Sequence, residues 1–317
     1  NLPGPCLFQP PSRRLKLIMV QSGCEWLPLW GTPAHLRCFY KPDTMGNKQA
    51  ILSITITWLL LSYITVLWQF SDMAHLGMSV LFGLAVWDLQ TRRETRPALK
   101  LRQPQAFIGG AAAVLLGLLN LRFPSFWLVR SVPFVGGLAV VLMAYGLSGF
   151  KTFWRELLLL FFMGLPSVIV PFLPDPSPLA ARFGALVLSL FGVDAVFEDG
   201  TNLVLPSGAV QVFRGCSGLE YMTYLLGLSV LCMVLFPISG RKRFWVPLIG
   251  VGLGFVVNGF RVALLAVLAS QNNLVSFDYW HEGPGSLLFG GVAVLVFGGV
   301  YSLVLKADHQ RKWSMKL

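Results

Sequence analysis

Three side chains in the last third of the sequence could together carry out acyl transfer: Cys216, Arg261 and His281. A cysteine thiolate attacks carbonyl carbons, an imidazole transfers protons near neutral pH, and a guanidinium stabilises an oxyanion. The residue types therefore supply a nucleophile, an acid–base group and an anion stabiliser. Whether they meet depends on the elements that carry them.

Cys216 stands between a short extended segment and an apolar run that predicts a helix beginning near Leu219, with Ser217 and Gly218 in between. The free N–H groups and positive dipole end of a helix favour a thiolate over a thiol. The sequence thus predicts an activated cysteine at a helix N-terminus. The alternative is that Cys216 is a small apolar residue near a membrane surface.

Arg261 lies inside an apolar helix, nine residues before its predicted end, which is about 13 Å along the axis. An arginine near the middle of a membrane costs about 2.5 to 3.5 kcal/mol, which indicates a function. Asn258 shares its helix face and is expected to hold the guanidinium or a substrate. Alternatively, Arg261 reaches toward the surface or pairs with Glu220, one turn after Cys216, whose role the sequence leaves open.

His281 lies in an aromatic-rich segment, residues 277–284, which predicts a loop at a membrane interface. Its imidazole titrates near neutrality and suits a proton shuttle if the loop folds over the mouth of the neighbouring helices. By itself, such a histidine is more often a surface residue. Only its combination with the cysteine and the arginine favours a catalytic role.

The composition indicates whether water or a lipid bilayer surrounds these residues. Hydrophobic residues make up 55% of the chain, charged residues only 12%, and the mean hydropathy is +0.67. Soluble domains carry about 25% charged residues, so we predict an all-α polytopic membrane protein. The net charge of +11 is then explained by basic cytoplasmic loops, and no nucleic-acid partner is predicted.

Eight apolar runs approach the roughly 20 residues that a membrane helix needs. They cover residues 50–70, 73–90, 106–121, 126–147, 154–173, 217–237, 244–270 and 285–305. The apolar segment 178–193 is assigned instead to an interfacial helix, because a ninth span would place a basic cluster outside. Turn signals and alternating residues over 196–213 predict a small extracytoplasmic β-hairpin that leads into Cys216.

Basic residues predict the orientation of this bundle. Fourteen fall in segments that share one side, and four on the other. The larger group is Arg92, Arg93, Arg96, Lys100, Arg102, Lys151, Arg155, Arg241, Lys242, Arg243, Lys306, Arg311, Lys312 and Lys316; the smaller is Arg122, Arg130, Arg182 and Arg214. Cytoplasmic loops are the basic ones. With eight spans, both termini are therefore predicted in the cytoplasm, and Cys216 and His281 face outward from the inner (plasma) membrane.

Residues 1–44 differ from the rest of the chain. They are rich in proline, contain three of the five cysteines and show no sustained periodicity. Their one apolar run is too short for the core of a signal peptide. We interpret them as disordered, or as an over-extended N-terminus before a natural start at Met45, with residues 45–317 as a single transmembrane domain.

Three motifs on successive outward-facing segments resemble the exosortase/archaeosortase family: Cys216-Ser217-Gly218, Asn258-Gly259-Phe260-Arg261 and His281-Glu282-Gly283. The resemblance covers roughly residues 50–305 and is most specific after Val196. Overall similarity points to the cyanobacterial branch of these bacterial proteins, although no single residue decides this.

The resemblance implies a membrane cysteine protease or transpeptidase, a hydrolase of protein sorting. Its partners would be exported proteins with a PEP-CTERM-like tail: a short Pro-Glu-Pro-type motif, a membrane helix, expected to dock against the sixth and seventh spans, and basic residues. Cys216, Arg261 and His281 would be catalytic. Substrate-binding or supporting residues would be Ser217, Gly218, Glu220 and Asn258. The substrates, the acyl acceptor and the oligomeric state remain open.

Another class of protein remains possible: a multi-pass transporter or assembly factor in which Arg261 binds an anion and Cys216 is incidental. The sequence shows no internal repeat of the kind that many transporters have. A metal-dependent intramembrane protease is disfavoured, because HExxH is absent and histidines are few. No CxxC pair occurs, so neither a metal nor a cofactor is predicted.

Overall fold

The structure, a computed structural model, describes residues 44–94, 97–101 and 104–314. The predictions for residues 1–43, Arg96, Arg102 and Lys316 lie outside these ranges. The described helices are α1 (Thr44–Gln69), α2 (Met73–Thr91), α3 (Pro104–Arg122), α4 (Phe126–Tyr145), α5 (Ser148–Thr152), α6 (Trp154–Ile169), α7 (Ser177–Leu190), α8 (Leu219–Leu235), α9 (Lys242–Ser270), α10 (Leu274–His281) and α11 (Pro284–Ser314). The strands are β1 (Val196–Glu198), β2 (Asn202–Leu205) and β3 (Gly208–Gln211).

Every predicted span is a helix, which confirms a polytopic all-α membrane protein. Six helices in the described ranges are long and apolar enough to cross a membrane, fewer than the eight predicted. They are α1, α3, α4, α6 with the turn that follows it, α9 and α11. The two other predicted spans are α2, with 19 residues, and α8, with 17. Both carry polar residues near their ends, which shortens the apolar stretch.

Ion pairs show which helix ends lie together. At one end of the bundle, Arg130 near the start of α4 pairs with Asp72, which caps the start of α2. At the opposite end, Arg93 just after α2 pairs with Glu156 in the first turn of α6. This alternation agrees with the predicted grouping of the basic loops. Which side of the membrane each end faces stays a prediction.

The two helices that carry Cys216 and Arg261 pack with their backbones in contact. A Cβ atom at Gly250 of α9 would lie 2.9 Å from the carbonyl oxygen of Leu225 in α8, and one at Gly254 would lie 2.8 Å from the amide nitrogen of Met222. Two glycines four residues apart therefore allow this close approach, as in many membrane helix pairs. The start of α8 is thereby held beside the second half of α9.

The segment 196–213 forms a three-stranded antiparallel sheet rather than the predicted hairpin. Val196 pairs with Val204 between β1 and β2, and Leu203 pairs with Val210 between β2 and β3. The predicted strands are β2 and β3. The additional strand β1 is only three residues long, so its pattern could not be recognised without its partner.

A second buried cluster ties this sheet and α7 to α9. It includes Ala181 of α7, Leu203 of β2, Val212 after β3, and Val262 and Ala266 of α9. The segment before Cys216 is thus anchored to the helix that carries Arg261. The prediction that residues 178–193 form a helix is confirmed by α7, whose 14 residues are fewer than a membrane span needs. Its position at the membrane surface stays a prediction.

Candidate active site

The structure brings Cys216 and His281 together. Sγ of Cys216 lies 3.1 Å from Nε2 of His281, although 65 positions separate them. Cys216 ends a short 3₁₀ turn that begins at Arg214, and His281 is the last residue of α10. The predicted loop at this histidine is therefore wrong: Asn273 caps an eight-residue helix by accepting a hydrogen bond from the amide of Ser276. This helix gives the imidazole a fixed position.

Arg261 completes the cluster from inside α9. Its Nη2 donates a 2.6 Å hydrogen bond to the backbone carbonyl of His281. Because Arg261 lies nine residues before Ser270, the last residue of α9, α10 must run back along α9 by about 13 Å to reach it. Arg261 is only 8% exposed, and its guanidinium carbon lies 6.0 Å from the ring centre of Tyr221. Arg261 therefore holds the histidine and adds positive charge beside the thiol.

Polar contacts fix the backbone around the cysteine. The side-chain amide of Asn258 donates to the Cys216 carbonyl at 2.9 Å, and the Ser217 hydroxyl donates to the Arg214 carbonyl at 2.6 Å. Asn258 thus holds the cysteine turn and not the guanidinium; the other predicted role, a contact to the substrate, stays a prediction. Ser217 is fully buried, so its hydroxyl supports the turn and does not face a substrate.

Gly218 allows this turn to meet α8. It precedes the first residue of the helix with φ +87°, a left-handed conformation that L-residues with a side chain rarely adopt. A Cβ atom here would also lie 2.7 Å from Cβ of Asn258. Cys216 lies two residues before this position. The predicted helix N-terminus is therefore present, separated from the cysteine by Ser217 and Gly218.

Burial shifts the pKa values of both members of the pair. It raises the pKa of the Cys216 thiol above its usual value, an effect that the charge of Arg261 opposes and that of Glu282 reinforces. Burial also lowers the pKa of His281; Arg261 adds to this shift and Glu282 opposes it. Both shifts favour the neutral thiol and the neutral imidazole over the charged forms. Desolvation thus opposes the thiolate that the helix N-terminus was predicted to favour.

Glu220 has a different partner from the one the sequence suggested. Its Oε1 lies 3.3 Å from Nη2 of Arg130, and the Tyr224 hydroxyl donates to it at 2.8 Å. Arg130 also pairs with Asp72 and is 2% exposed inside α4, at the end of the bundle where α8 begins. Sequence analysis missed this network. The signal was a charge near the start of three helices.

A cleft of about 730 Å³ opens beside the cysteine. Its walls come from α2, α8, α9 and the segment from His281 into α11, and they include Arg261, Glu220 and Asn258. Gly215 and Gly218, on either side of Cys216, also line it. A substrate in this cleft would contact Arg261 and His281 and would pass beside the cysteine turn. Among the described residues, no group of three or more His, Cys, Asp or Glu side chains could hold a metal ion.

A family model described as transmembrane exosortase (Exosortase_EpsH) matches residues 51–298. The chain belongs to this family. The match includes all three sequence motifs and confirms the predicted resemblance. No curated protein and no solved structure matches the chain.

Membership makes the chain a membrane sorting enzyme of the peptidase or transpeptidase type. It also agrees with the multi-pass architecture. The roles of Cys216, Arg261 and His281 are not part of what the family match reports, and they rest on the geometry above.

Proposed function

We propose that the chain is a membrane-embedded cysteine protease or transpeptidase that cleaves C-terminal sorting signals of exported proteins. The observation that carries the proposal is the 3.1 Å approach of Cys216 Sγ to His281 Nε2 beside a cleft that contains Arg261. Membership in the exosortase family supports the sorting function. The substrate class is the tripartite tail that the family resemblance implies, with its PEP-CTERM-like motif.

The first half-reaction makes a thioester. His281 Nε2 accepts the thiol proton while the sulfur of Cys216 attacks the carbonyl carbon of the scissile peptide bond. A C–S bond forms, and the carbonyl oxygen becomes an oxyanion. The C–N bond then breaks, and His281 gives its proton to the leaving amine. The general base is needed because burial favours the neutral thiol over the thiolate.

Arg261 serves this step with two nitrogens. Nη2 is bonded to the carbonyl of His281, whereas Nη1 has no hydrogen-bond partner among the described residues. Nη1 is therefore free to donate to the oxyanion, where a preorganised donor acts more strongly than in water. Gly218, Ser217 and Asn258 support the cysteine turn, and Glu220 is a candidate substrate contact on the cleft wall.

The second half-reaction releases the exported protein. An amine or a water molecule attacks the thioester and loses a proton to His281. The C–S bond breaks, and the proton returns to the sulfur of Cys216. An amine acceptor gives transpeptidation, and water gives hydrolysis. The predicted topology places these steps on the extracytoplasmic face of the plasma membrane.

The experiment compares the two free cysteines in the described ranges, Cys216 and Cys232. A reporter with a sorting tail is expressed with Cys216→Ala or Cys232→Ala at matched enzyme levels, and the cleaved and uncleaved forms are quantified. We expect Cys216→Ala to abolish cleavage while the reporter still binds. Cys232→Ala, which removes one thiol near the opposite end of α8, should process it normally. Full processing by Cys216→Ala would refute the thiol mechanism.

A further inference from the structure

The cleft beside Cys216 has a charged mouth and an uncharged floor. Its charged or titratable side chains, apart from two tyrosines of α8, lie where the helices begin or close to Cys216: Asp72, Glu220, Arg261, His281 and Glu282. The floor is lined by apolar side chains, among them Met78 and Leu81 of α2, Leu225 of α8, and Leu287 and Val294 of α11. Such a surface is complementary to a segment that is polar outside the membrane and uncharged within it.

The depth of the cleft matches half a bilayer. From Asp72 to Leu81 the lining follows α2 for about 13 Å, and from Pro284 to Val294 it follows α11 for about 15 Å. The hydrocarbon core of a membrane is about 30 Å thick. The occupant must therefore extend from the membrane surface to near the midplane, and a water-soluble peptide would leave its polar backbone groups unpaired on the apolar floor.

We propose that the outer half of a single transmembrane helix of the substrate docks in this cleft, between α2 and α11. The inference rests on the proposed function and adds the place where the substrate's membrane segment binds. It differs from the expectation that this helix lies against the sixth and seventh predicted spans. Of these, α8 does line the floor, but α9 contributes only Asn258 and Arg261, beside the cysteine turn and the histidine. The scissile bond, which precedes the membrane helix in the tail, then lies at the mouth beside Cys216.

Two glycines on facing walls give the docked helix room. Gly77 of α2 and Gly291 of α11 both line the cleft, and a Cβ atom at either position would meet no other atom within 4 Å. Small residues at such positions allow a helix to approach closely and to pack by van der Waals contact. A larger side chain at either position would not clash with the rest of the enzyme. It would instead occupy the space in which the substrate helix docks.

This open space allows a matched test. Gly77→Leu and Gly291→Leu should reduce cleavage of the tailed reporter about 100-fold, since a misplaced scissile bond costs a rate factor of this order. The controls are Gly83→Leu on α2 and Gly299→Leu on α11, which also have open space but do not line the cleft. Gly83 faces about 120° away from Gly77, and Gly299 about 80° away from Gly291. We expect both controls to cleave at the wild-type rate.

A second measurement keeps the docking site separate from the chemistry. A photo-crosslinking amino acid replaces Gly77 or Gly291 in the Cys216→Ala enzyme, and position 83 serves as the control. We expect crosslinks from positions 77 and 291 to the membrane helix of the reporter, even if no enzyme cleaves it. Crosslinks to lipid alone, or normal cleavage by Gly77→Leu and Gly291→Leu, would overturn the docking site. Crosslinks from positions 77 and 291, together with a failure of the wild-type enzyme to cleave the tail, would instead refute the proposed function.

Discussion

Nη2 of Arg261 donates a 2.6 Å hydrogen bond to the backbone carbonyl of His281. This bond links the second half of α9 to the last residue of α10. The imidazole that faces the Cys216 thiol is therefore held through its main chain by a buried cation. One guanidinium both positions the base and, in the proposed mechanism, stabilises the oxyanion with Nη1.

Replacing Arg261 with lysine separates charge from geometry. Lysine keeps the positive charge but loses the planar fork, so it cannot hold the His281 carbonyl and an oxyanion together. We expect the cleavage rate to fall about 10² to 10³-fold, the usual loss for one oxyanion donor. Because the charge remains, the pH dependence of cleavage should stay close to that of the wild type.

The control for this variant is Arg182→Lys, on the exposed face of α7. It makes the same chemical change away from the cleft and should leave cleavage unaltered. A wild-type rate for Arg261→Lys would show that only charge is needed at this position.

The protonation of the pair predicts the acidic side of the pH profile. Protonated His281 cannot act as a base, so the rate should fall as the pH decreases through its pKa. Burial lowers that pKa below the usual value of about 6.5. Cleavage by the purified enzyme should therefore persist to a lower pH than an ordinary histidine would allow.

Glu282→Gln tests the cause of this shift. The carboxylate of Glu282 raises the pKa of His281, so its removal should lower that pKa further and move the acidic limb to still lower pH. The same variant should lower the pKa of Cys216, which can be followed by the pH dependence of its alkylation. A shift of the acidic limb to higher pH would contradict the assignment of His281 as the base.

Gly218→Ala should displace the cysteine turn. An alanine at this position would have to adopt the left-handed backbone conformation, which costs about 1 to 2 kcal/mol. Its methyl group would also crowd the Asn258 side chain that holds the Cys216 carbonyl. Gly240 provides the matched control, because its φ is +68° but a Cβ atom there meets nothing within 4 Å. We expect Gly218→Ala to lose about 100-fold in cleavage rate. Gly240→Ala should keep its rate, and equal losses would mean that backbone strain alone is responsible.

The orientation can be tested with a thiol reagent that does not cross membranes. Ser207→Cys lies in the turn between β2 and β3, Asp278→Cys lies on α10, and Arg241→Cys lies just before α9; all three positions are exposed. In intact cells we expect labelling at 207 and 278 and protection at 241 until the membrane is permeabilised. Labelling at 241 from outside would reverse the predicted topology.

The composition and the local sequence pattern were enough to predict the membrane environment, the helices and the residue types of the candidate site. A membrane leaves the backbone little choice but helices, so apolar runs of the right length identify them. Residues 178–193 were likewise assigned to a helix that does not span the membrane, because a span there would place the basic cluster 241–243 outside. The three motifs identified the family because their residue types are local properties of the chain.

Only the tertiary structure decided which of these residues meet. Cys216 and His281 lie 65 positions apart, and their contact depends on α10 running back along α9, which no local pattern encodes. Glu220 pairs with Arg130, 90 positions away, because α4 and α8 begin at the same end of the bundle. The protonation of the cysteine was also beyond the sequence, since desolvation arises from neighbours that only packing supplies.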